Sequence, residues 1–447
     1  MASSADTGAD AEASAANTIS IVQRGNLKAL ETSLRKQWRL GQNIVLCWSA
    51  DERGLLVIFV PHYFLGNYCA RVGEGGGTDN ETFVRELISG HRRKQRDELF
   101  AIAERLDVAP GFIKLNAPLA EDAPVMNAVE QLIKRYGLSY VSDRAVLLFD
   151  IAEFSLFTPF EQASQLNSLS YSFNSAYNKL LAKGIEVHFS RTTTGDGYYV
   201  WNRELGPAAN RDLFVFMLLV IADNAVARAA SRGNTVPMIR TAYHVGSHYE
   251  LYQAEGINPT IHSYIVGDVT IELARMVTEA LPDQILVGHY ESCLPPDADH
   301  QVQMPGKVFS PVFIHHCNRA LAAIRGVQFA GKVITDISCQ LTGSSDPGER
   351  RAARRFLIVD KHGLAHHAYN LEVELRLQEA TLALGLDESA LPVPPRRESA
   401  LADRQGKAED TSENGTPDTA DGELGRQGEE LATLLKRRRR DSSMTEE

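Results

Sequence analysis

The spacing of hydrophobic residues between positions 124 and 290 constrains the fold more than any other feature of the sequence. An amphipathic helix (124–138) leads into an apolar strand, AVLLFDI (145–151). Helical periodicity returns in three later stretches, at 159–184, 211–231 and 267–281. The intervening stretches are typical of strands, at 185–202, 237–252 and 284–290. This order, β-α-β-β-α-β-α-β, predicts an α+β fold with helices on one face of a mostly antiparallel sheet.

The regions around this block differ from it in composition. Residues 1–17 and 388–447 are rich in small, polar or charged residues, and we expect both to be disordered. Residues 18–122 combine helical and strand patterns, which predicts a mixed α/β region, but no motif there indicates a chemistry. A connecting helix (123–140) then leads into the central domain, which we place at 141–300.

Residues 301–387 are interpreted as a strand-rich C-terminal region. Two of its segments, KVFSPVFIHHCN and FAGKVITDISCQLTG, have strand-like composition. The stretch 354–378 predicts a hairpin that turns at Lys361-His362-Gly363. Its histidines, like His315 and His316, have no further Cys or His at zinc spacing, so they are interpreted as strand or surface residues.

Charge and apolar runs exclude several function classes. The chain has 46 Lys+Arg against 57 Asp+Glu, a formal net charge of −11, so binding to nucleic acid is not expected. The run LFVFMLLVIA (213–222) is shorter than the roughly 20 residues of a membrane span and predicts a buried helix. The five cysteines are widely spaced without a CxxC, which favours reduced thiols. We therefore expect a soluble cytoplasmic protein that does not bind membranes.

Two aspartates occupy positions where a carboxylate is unusual. Asp150 closes an almost purely apolar strand, where a charge is costly unless it is paired or binds a cation. Asp196 lies at a predicted hairpin tip between Gly195 and Gly197, where a ligand can approach the backbone closely. If the two strands are neighbours, both carboxylates meet at one sheet edge and provide hard oxygen ligands for Mg²⁺ or Mn²⁺. The alternative is purely structural: Asp196 as a turn residue and Asp150 as a helix cap.

Four motifs set these aspartates in a wider pattern. They occur in the order LLFDIAEFS (147–155), TTTGDGYYVW (192–201), RTAYHVGSHYE (240–250) and IVGDVTIELARM (265–276). Together they resemble the ferredoxin-like catalytic domain of class III adenylyl/guanylyl cyclases over roughly residues 141–295. The matching residues are Asp150, Ile151, Phe154, Ser155, Gly195, Asp196, Gly197, Arg240, His244, Gly246, Gly267, Asp268, Ala274 and Arg275.

The resemblance implies a two-metal cyclisation of a nucleoside triphosphate. Asp150 and Asp196, with the Ile151 carbonyl, would hold two Mg²⁺ or Mn²⁺ ions that activate the ribose 3′-hydroxyl and grip the phosphates. Arg275 would neutralise the charge that develops on the α-phosphate. Phe154 would begin a helix whose N-terminal amides face the polyphosphate. The family's sites form between two catalytic domains, which implies a homodimer with shared active sites.

The sequence departs from the family's pattern at the transition-state asparagine. That position is Ile271, which cannot donate a hydrogen bond, and its neighbours Thr270 and Glu272 are poor substitutes for an amide. The departure allows a second hypothesis, in which the domain binds nucleotides without catalysis.

The residues that select the base differ as well. Thr192, beside Arg191, occupies the position of the purine-reading lysine, and Tyr264 that of the adenine-pairing aspartate. Stacking by Tyr264 and donors from the other two residues suit a base that presents acceptors, such as uracil. Arg191 and Tyr264 can equally have structural roles. Arg191 would then lie on the surface of a strand, and Tyr264 would pack against neighbouring residues.

Cyclases without the purine-reading pair, accompanied by a C-terminal module, occur among bacterial anti-phage pyrimidine cyclases of the Pycsar type. The stretch 360–370 also resembles the sensor modules of such defence enzymes. We therefore expect a nucleotidyl cyclase that makes a 3′,5′-cyclic monophosphate and pyrophosphate, with UTP slightly favoured, for a downstream cyclic-nucleotide receptor in bacterial signalling or phage defence. The alternatives are an adenylate or guanylate cyclase with an atypical base pocket, a non-catalytic nucleotide-binding homodimer, and an interaction protein that uses the domain only to dimerise.

Overall fold

The structure is a computed structural model of the 447-residue chain. It describes residues 19–39, 41–70, 77–254, 261–295, 306–329, 331–342, 353–360, 362–378 and 380–391. The predicted disordered segment 1–17 lies outside the described residues, as does the C-terminal tail from residue 392 on.

The N-terminal region is a three-stranded antiparallel sheet with helices on both faces. Its helices are α1 (Ile21–Trp38), α2 (Phe64–Cys69), α3 (Gly77–Ser89), α4 (Arg96–Leu106) and α5 (Ala123–Lys134). Its strands are β1 (Asn43–Asp51), β2 (Gly54–Pro61) and β3 (Gly111–Lys114), which pair in that order. Helices α1 and α5 pack on one face around Leu34 and Val129, and α2, α3 and α4 pack on the other around Leu99.

The central and C-terminal regions share one sheet of 11 strands. The central strands are β4 (Leu138–Ile151), β5 (Phe189–Thr193), β6 (Gly197–Asn202), β7 (Ile239–Ala254), β8 (Ile261–Val266) and β9 (Ile285–Gly288). The central helices are α6 (Pro159–Leu181), α7 (Pro207–Ala230) and α8 (Asp268–Glu279). The predicted α+β class is confirmed, and the described elements follow the expected order except for β8, an additional strand between β7 and α8.

Most of the later strands extend this sheet, and two of them form a separate two-stranded sheet. The later elements are β10 (Glu291–Cys293), β11 (Lys307–Phe309), α9 (Ser310–Ala320), β12 (Gln328–Phe329), β13 (Lys332–Leu341), β14 (Arg355–Val359), β15 (Ala365–Leu377) and β16 (Ala380–Leu384). Strand order is β12-β13-β15-β9-β7-β4-β6-β5, with β14 and β16 paired to β15 and β8 paired to β7. Only the β7–β9 pair is parallel among the described strand pairs of this sheet. The boundary that we placed at residue 300 therefore separates segments of a single sheet.

Strand β4 is buried on both faces. Successive side chains of a strand point to opposite faces, and Leu147 and Phe149 pack with α6 and α7, whereas Val146 and Leu148 pack with α8. The expectation that the helices share one face is therefore wrong. An apolar run such as VLLF is typical of a strand covered on both sides, and the second covering layer is α8.

Helix α7 forms the centre of the core. Every residue from Leu213 to Asn224 is buried, against the sheet and α6. By length and composition alone α7 could cross a membrane, since it has 24 residues and a mean hydropathy of 1.9. Burial on all sides accounts for this composition, and the predicted buried helix is confirmed.

One predicted strand is a helix. The segment KVFSPVFIHHCN forms the short strand β11 and then α9, which contradicts the strand-like interpretation of its composition. Pro311 suits the first turn of a helix, and the buried Phe313, Ile314 and Cys317 recur at helical spacing. The hairpin predicted at 354–378 is confirmed, because β14 pairs with β15 on either side of the turn, whose Lys361 lies outside the described residues. All five cysteines are free, as expected.

Candidate active site

The structure brings Asp150 and Asp196 to the same end of two neighbouring strands. β4 and β6 are antiparallel partners, and Asp150 lies opposite Gly197. The N–H of Ile151 donates to the carbonyl of Asp196 at 2.9 Å, which ties the hairpin tip to the end of β4. The expected strand pairing is therefore confirmed, and the roles of the two carboxylates remain predictions.

Gly197 makes this close approach possible. A Cβ atom at this position would lie 2.0 Å from the carbonyl oxygen of Phe149 and 2.9 Å from the Cα of Asp150, closer than packing allows. Gly195 has a different role, because its φ of +104° is in the left-handed region and its side-chain direction is open. The Gly-Asp-Gly sequence therefore fixes both the turn and the distance between the strands.

We expect Gly197→Ala to lower the free energy of unfolding by about 1–3 kcal/mol, because the strands must separate to admit a methyl group. The measurement is urea unfolding monitored by circular dichroism. Gly66→Ala is a suitable control, since nothing lies within 4 Å of that position and its φ is ordinary. An unchanged urea midpoint for Gly197→Ala would contradict the close strand approach.

The surroundings of Asp150 make its charge costly. Its side chain is 11% exposed, and burial raises the pKa of its carboxyl above the usual 3.8. Hydrogen bonds and the charge of Arg240 act in the opposite direction, whereas the negative charge of Asp196 raises the pKa of Asp150 further. Both hydrogen bonds from the Arg240 guanidinium go to Oδ2, one of them from Nε at 2.8 Å. A second positive charge at this edge would relieve the repulsion between the two carboxylates.

The donor set at this edge fits a hard divalent cation. Carboxylate and backbone carbonyl oxygens are the ligands that Mg²⁺ and Mn²⁺ prefer. Asp196 is half-exposed, and its Oδ1 accepts a hydrogen bond from the Thr194 hydroxyl at 3.2 Å. The side chain of Ile151 is buried in the core, so only its backbone carbonyl can take part. Among the described residues no group of three or more His, Cys, Asp or Glu side chains is arranged for a metal.

His244, from the third motif, is a buried neutral residue. Burial lowers the pKa of His244 from 6.5 to about 3, and the charge of His289 acts in the same direction. Gly288 on the neighbouring strand makes room for the ring, because a Cβ there would lie 2.0 Å from Nδ1. The motif histidine is therefore buried in the sheet, and the motif's arginine, Arg240, is the member that contacts the carboxylate of Asp150.

This histidine predicts a pH dependence of stability. The unfolded chain binds a proton to His244 below about pH 6.5 whereas the folded chain does not, so stability is lost as the pH falls from 7 to 5. The loss from this residue is about 2 kcal/mol. The measurement is the free energy of unfolding in urea at pH 7 and at pH 5. The decrease between the two pH values should be about 2 kcal/mol smaller for His244→Gln than for wild type. For the exposed His315→Gln variant it should equal that of wild type. An equal pH dependence of wild type and His244→Gln would contradict the buried neutral state.

The prediction that Phe154 begins a helix is wrong. Phe154–Leu156 is a short 3₁₀ turn, and α6 begins at Pro159. The N-terminus of α6 is capped by its own residues, since Thr158 accepts from the N–H of Glu161 and the Glu161 side chain accepts from the N–H of Thr158. The Thr-Pro-Phe-Glu sequence is a capping box with proline at the first helical position, which the sequence interpretation overlooked.

The three candidate base-reading residues lie on two strands that come close together. Arg191 and Thr192 are on β5 and Tyr264 is on β8, and Cα atoms of the two strands approach within 8 Å. Arg191 already has partners: it donates to the Ser170 hydroxyl at 2.8 Å and lies over the rings of Phe173 and Tyr198. Thr192 and Tyr264 are half-buried.

Helix α8 carries Arg275 and the departure at position 271. Ile271 is 50% exposed, Thr270 donates its hydroxyl hydrogen to the Gly267 carbonyl, and Glu272 contacts His366 at 3.0 Å. Neither neighbour is therefore free to replace the missing amide. Arg275 lies beside Asp360, whose turn leads into β15, and β15 is separated from β4 by β7 and β9. Arg275 therefore lies beside a hairpin whose strand β15 is three places from β4 in the sheet.

The contact between Arg275 and Asp360 was not predicted from the sequence. Asp360 was interpreted only as part of a hairpin turn, and His366 only as a strand or surface histidine. The structure buries both side chains, at 2% and 5% exposure, against α8. The one available signal was the turn sequence from Asp360 to Gly363. It predicts the turn, but it does not predict that Asp360 contacts Arg275.

Comparisons with known proteins give structural neighbours only. No family model matches the chain, and no curated protein matches its sequence. The guanylate cyclase domain of RhGC from Catenaria anguillulae, solved with GTP, is 14% identical with a TM-score of 0.31, covering 52% of this chain and 97% of that one. The adenylyl cyclase CyaB from P. aeruginosa is 12% identical with a TM-score of 0.29, covering 52% and 95%. The guanylyl cyclase Cya2 is 10% identical with a TM-score of 0.30, covering 51% and 91%. The structural neighbours named here are thus nucleotide cyclase domains, at identities and TM-scores too low to assign this chain to their family.

Proposed function

We propose that the protein is a nucleotidyl cyclase that converts a nucleoside triphosphate to its 3′,5′-cyclic monophosphate and pyrophosphate. The observation that carries the proposal is the meeting of Asp150 and Asp196 at one sheet edge, on strands held close by Gly197. A carboxylate that is largely buried and faces a second carboxylate is unfavourable for stability. Such an arrangement is expected where the pair binds a cation and a phosphate-bearing substrate.

The residues at the Asp150–Asp196 edge would have separate roles in this reaction. Asp150, Asp196 and the Ile151 carbonyl would hold Mg²⁺ or Mn²⁺, which supply activation of the ribose 3′-hydroxyl and neutralisation of the polyphosphate. Gly195 leaves the hairpin tip open to the phosphates, and Gly197 keeps the tip close to the end of β4. Arg240 favours the ionised form of Asp150 and fixes its orientation through Oδ2.

The active site requires a second copy of the chain. Within one chain Arg275 is turned towards the β14–β15 hairpin, away from the Asp150–Asp196 edge. A homodimer that places Arg275 of the partner subunit at this edge would complete two equivalent sites. Each site would then combine carboxylates from one protomer with an arginine from its partner.

Among the four triphosphates, UTP is slightly favoured as the substrate. Arg191 is held by Ser170 and two aromatic rings, so Thr192 and Tyr264 are the better candidates for contact with the base. A threonine hydroxyl and an aromatic face suit a pyrimidine that presents carbonyl acceptors. We place the reaction in the bacterial cytoplasm, with a product read by a cyclic-nucleotide receptor in signalling or phage defence.

A non-catalytic nucleotide-binding homodimer is the second candidate. It is favoured by the exposed Ile271 in place of an amide donor, and by the ion pair through which Arg240 neutralises Asp150. Retention of both carboxylates favours the cyclase, because triphosphate binding alone does not require two of them.

The test is incubation of the purified protein with Mn²⁺ or Mg²⁺ and each of ATP, GTP, CTP and UTP, with products identified by mass spectrometry. We expect one cyclic monophosphate with an equal amount of pyrophosphate. Absence of product from all four, together with measurable triphosphate binding by calorimetry, would replace the cyclase with the second candidate.

A further inference from the structure

The environment of Arg275 is unusual for an arginine on a helix surface. Its Nε lies 3.3 Å from Oδ2 of Asp360, and the Asp360 side chain is only 2% exposed. Nε itself is buried, whereas the Arg275 side chain as a whole is 31% exposed. Nε is thus the guanidinium nitrogen nearest to the carboxylate; the contact is an ion pair and not a hydrogen bond, and the terminal nitrogens form no hydrogen bond to a described residue.

Asp360 is itself held firmly. Its Oδ1 accepts hydrogen bonds from the N–H groups of His362 at 2.8 Å and Leu364 at 2.9 Å, which form the turn between β14 and β15. His366 lies on the other side, with Nε2 3.7 Å from Asp360 Oδ2 and Nδ1 3.0 Å from Glu272 Oε1. The Asp360 carboxylate is therefore oriented by the hairpin, and the hairpin contacts α8 at Arg275 and at Glu272.

An arginine whose Nε side faces a buried carboxylate can present its terminal nitrogens to another anion. The guanidinium group is planar, and its two terminal nitrogens can donate together to two oxygens of a phosphate. The charge of the Asp360 carboxylate restricts the orientations of the guanidinium, which lowers the entropy that the arginine loses when it binds an anion. The C-terminal region, which the sequence indicated only as a possible sensor, thus provides the carboxylate that lies beside Arg275.

We propose that Asp360 is a positioning residue that orients Arg275 for contact with the α-phosphate of the substrate. The proposal rests on the proposed cyclase function, since it assigns Asp360 to the arginine that acts in that reaction. Asp360 does not touch the substrate and acts only through Arg275. The β14–β15 hairpin is on this account a structural part of the active site.

The test is the kinetics of Asp360→Asn in the full chain. Asparagine keeps the Oδ1 acceptor of the turn but loses the charge that faces Arg275. We expect a kcat about 100-fold lower with KM unchanged, because a misplaced arginine weakens a contact made in the transition state. Asp360→Glu, which restores the carboxylate, should recover part of the loss.

A double variant separates positioning from folding. In the Arg275→Ala background Asp360→Asn should cause no further loss, because the residue through which it acts is gone. Glu388→Gln is the matched control, since Glu388 forms an ion pair with Arg354 beside the same hairpin but does not contact α8 in the described residues. Its kcat should equal that of wild type.

The outcomes separate the two proposals. Two results would overturn the positioning role while leaving the cyclase function intact. One is a wild-type kcat in Asp360→Asn. The other is that Asp360→Asn lowers kcat by the same factor in the Arg275→Ala background as in wild type. A wild-type protein without cyclase activity would instead overturn the cyclase function. In that case thermal unfolding of the same variants would still report whether the Arg275–Asp360 pair forms.

Discussion

Asp196→Asn is expected to reduce cyclic nucleotide formation by about 1,000-fold, or about 4 kcal/mol of transition-state stabilisation. The substitution keeps the size of the side chain and its hydrogen bond with Thr194 but removes one of the two negative charges at the sheet edge. Because Asp196 is half-exposed at a hairpin tip, the fold should tolerate the change better than the same change at the buried Asp150. The initial rate with Mn²⁺ and the preferred triphosphate is the measurement.

Asp51→Asn is the matched control for this variant. Asp51 also lies at a hairpin end, between β1 and β2, and accepts hydrogen bonds from the Arg53 N–H and the Arg96 side chain. It belongs to the separate N-terminal sheet, so its substitution should leave the rate unchanged. Comparable activity of Asp196→Asn and wild type would show that the carboxylate pair is structural.

Mixing two inactive variants is expected to restore activity. In a heterodimer of Asp196→Asn and Arg275→Ala, one site receives both defects and the other receives an intact Asp196 from one chain and an intact Arg275 from the other. Half of randomly paired dimers are heterodimers and each has one intact site, so about one quarter of wild-type activity should return. The measurement is the rate after the two proteins are mixed and allowed to exchange subunits.

This experiment depends on the position of Arg275 in the fold. Its ion pair with Asp360 turns it towards β15, so a single chain cannot bring it to its own Asp150–Asp196 edge without breaking that contact. Mixing Asp196→Asn with Asp150→Asn is the control, because both variants damage the same half of the site and no dimer of them contains an intact one. Recovery in the control mixture, or none in the test mixture, would rule out a shared site.

The meeting of Asp150 and Asp196 could be predicted because it depends on local rules. Strand periodicity sets which residue ends β4, and a Gly-Asp-Gly turn sets which residue lies at the hairpin tip. Antiparallel pairing of adjacent segments then brings the two together. The same rules predicted α7, whose composition leaves a buried helix as the simplest solution.

The remaining features depend on contacts between distant segments. The partner of Arg275 is set by the path of the β14–β15 hairpin over α8, which no local pattern encodes. The two-sided burial of β4 depends in the same way on the return of α8 across the sheet. The segment KVFSPVFIHHCN was misjudged for a different reason: β-branched and aromatic residues favour strands on average, but its buried positions follow the period of a helix.

The sharing of one sheet by the central and C-terminal regions governs the order in which the protein can fold during synthesis. Strand β9 has only four residues, and after β7 its second neighbour is β15, at Ala368, Tyr369 and Asn370. Until these residues leave the ribosome, one edge of β9 has no partner and can pair with another chain. The centre of the sheet is therefore completed late, when most of the polypeptide has been made, and a chain released before that point would expose an unpaired strand edge.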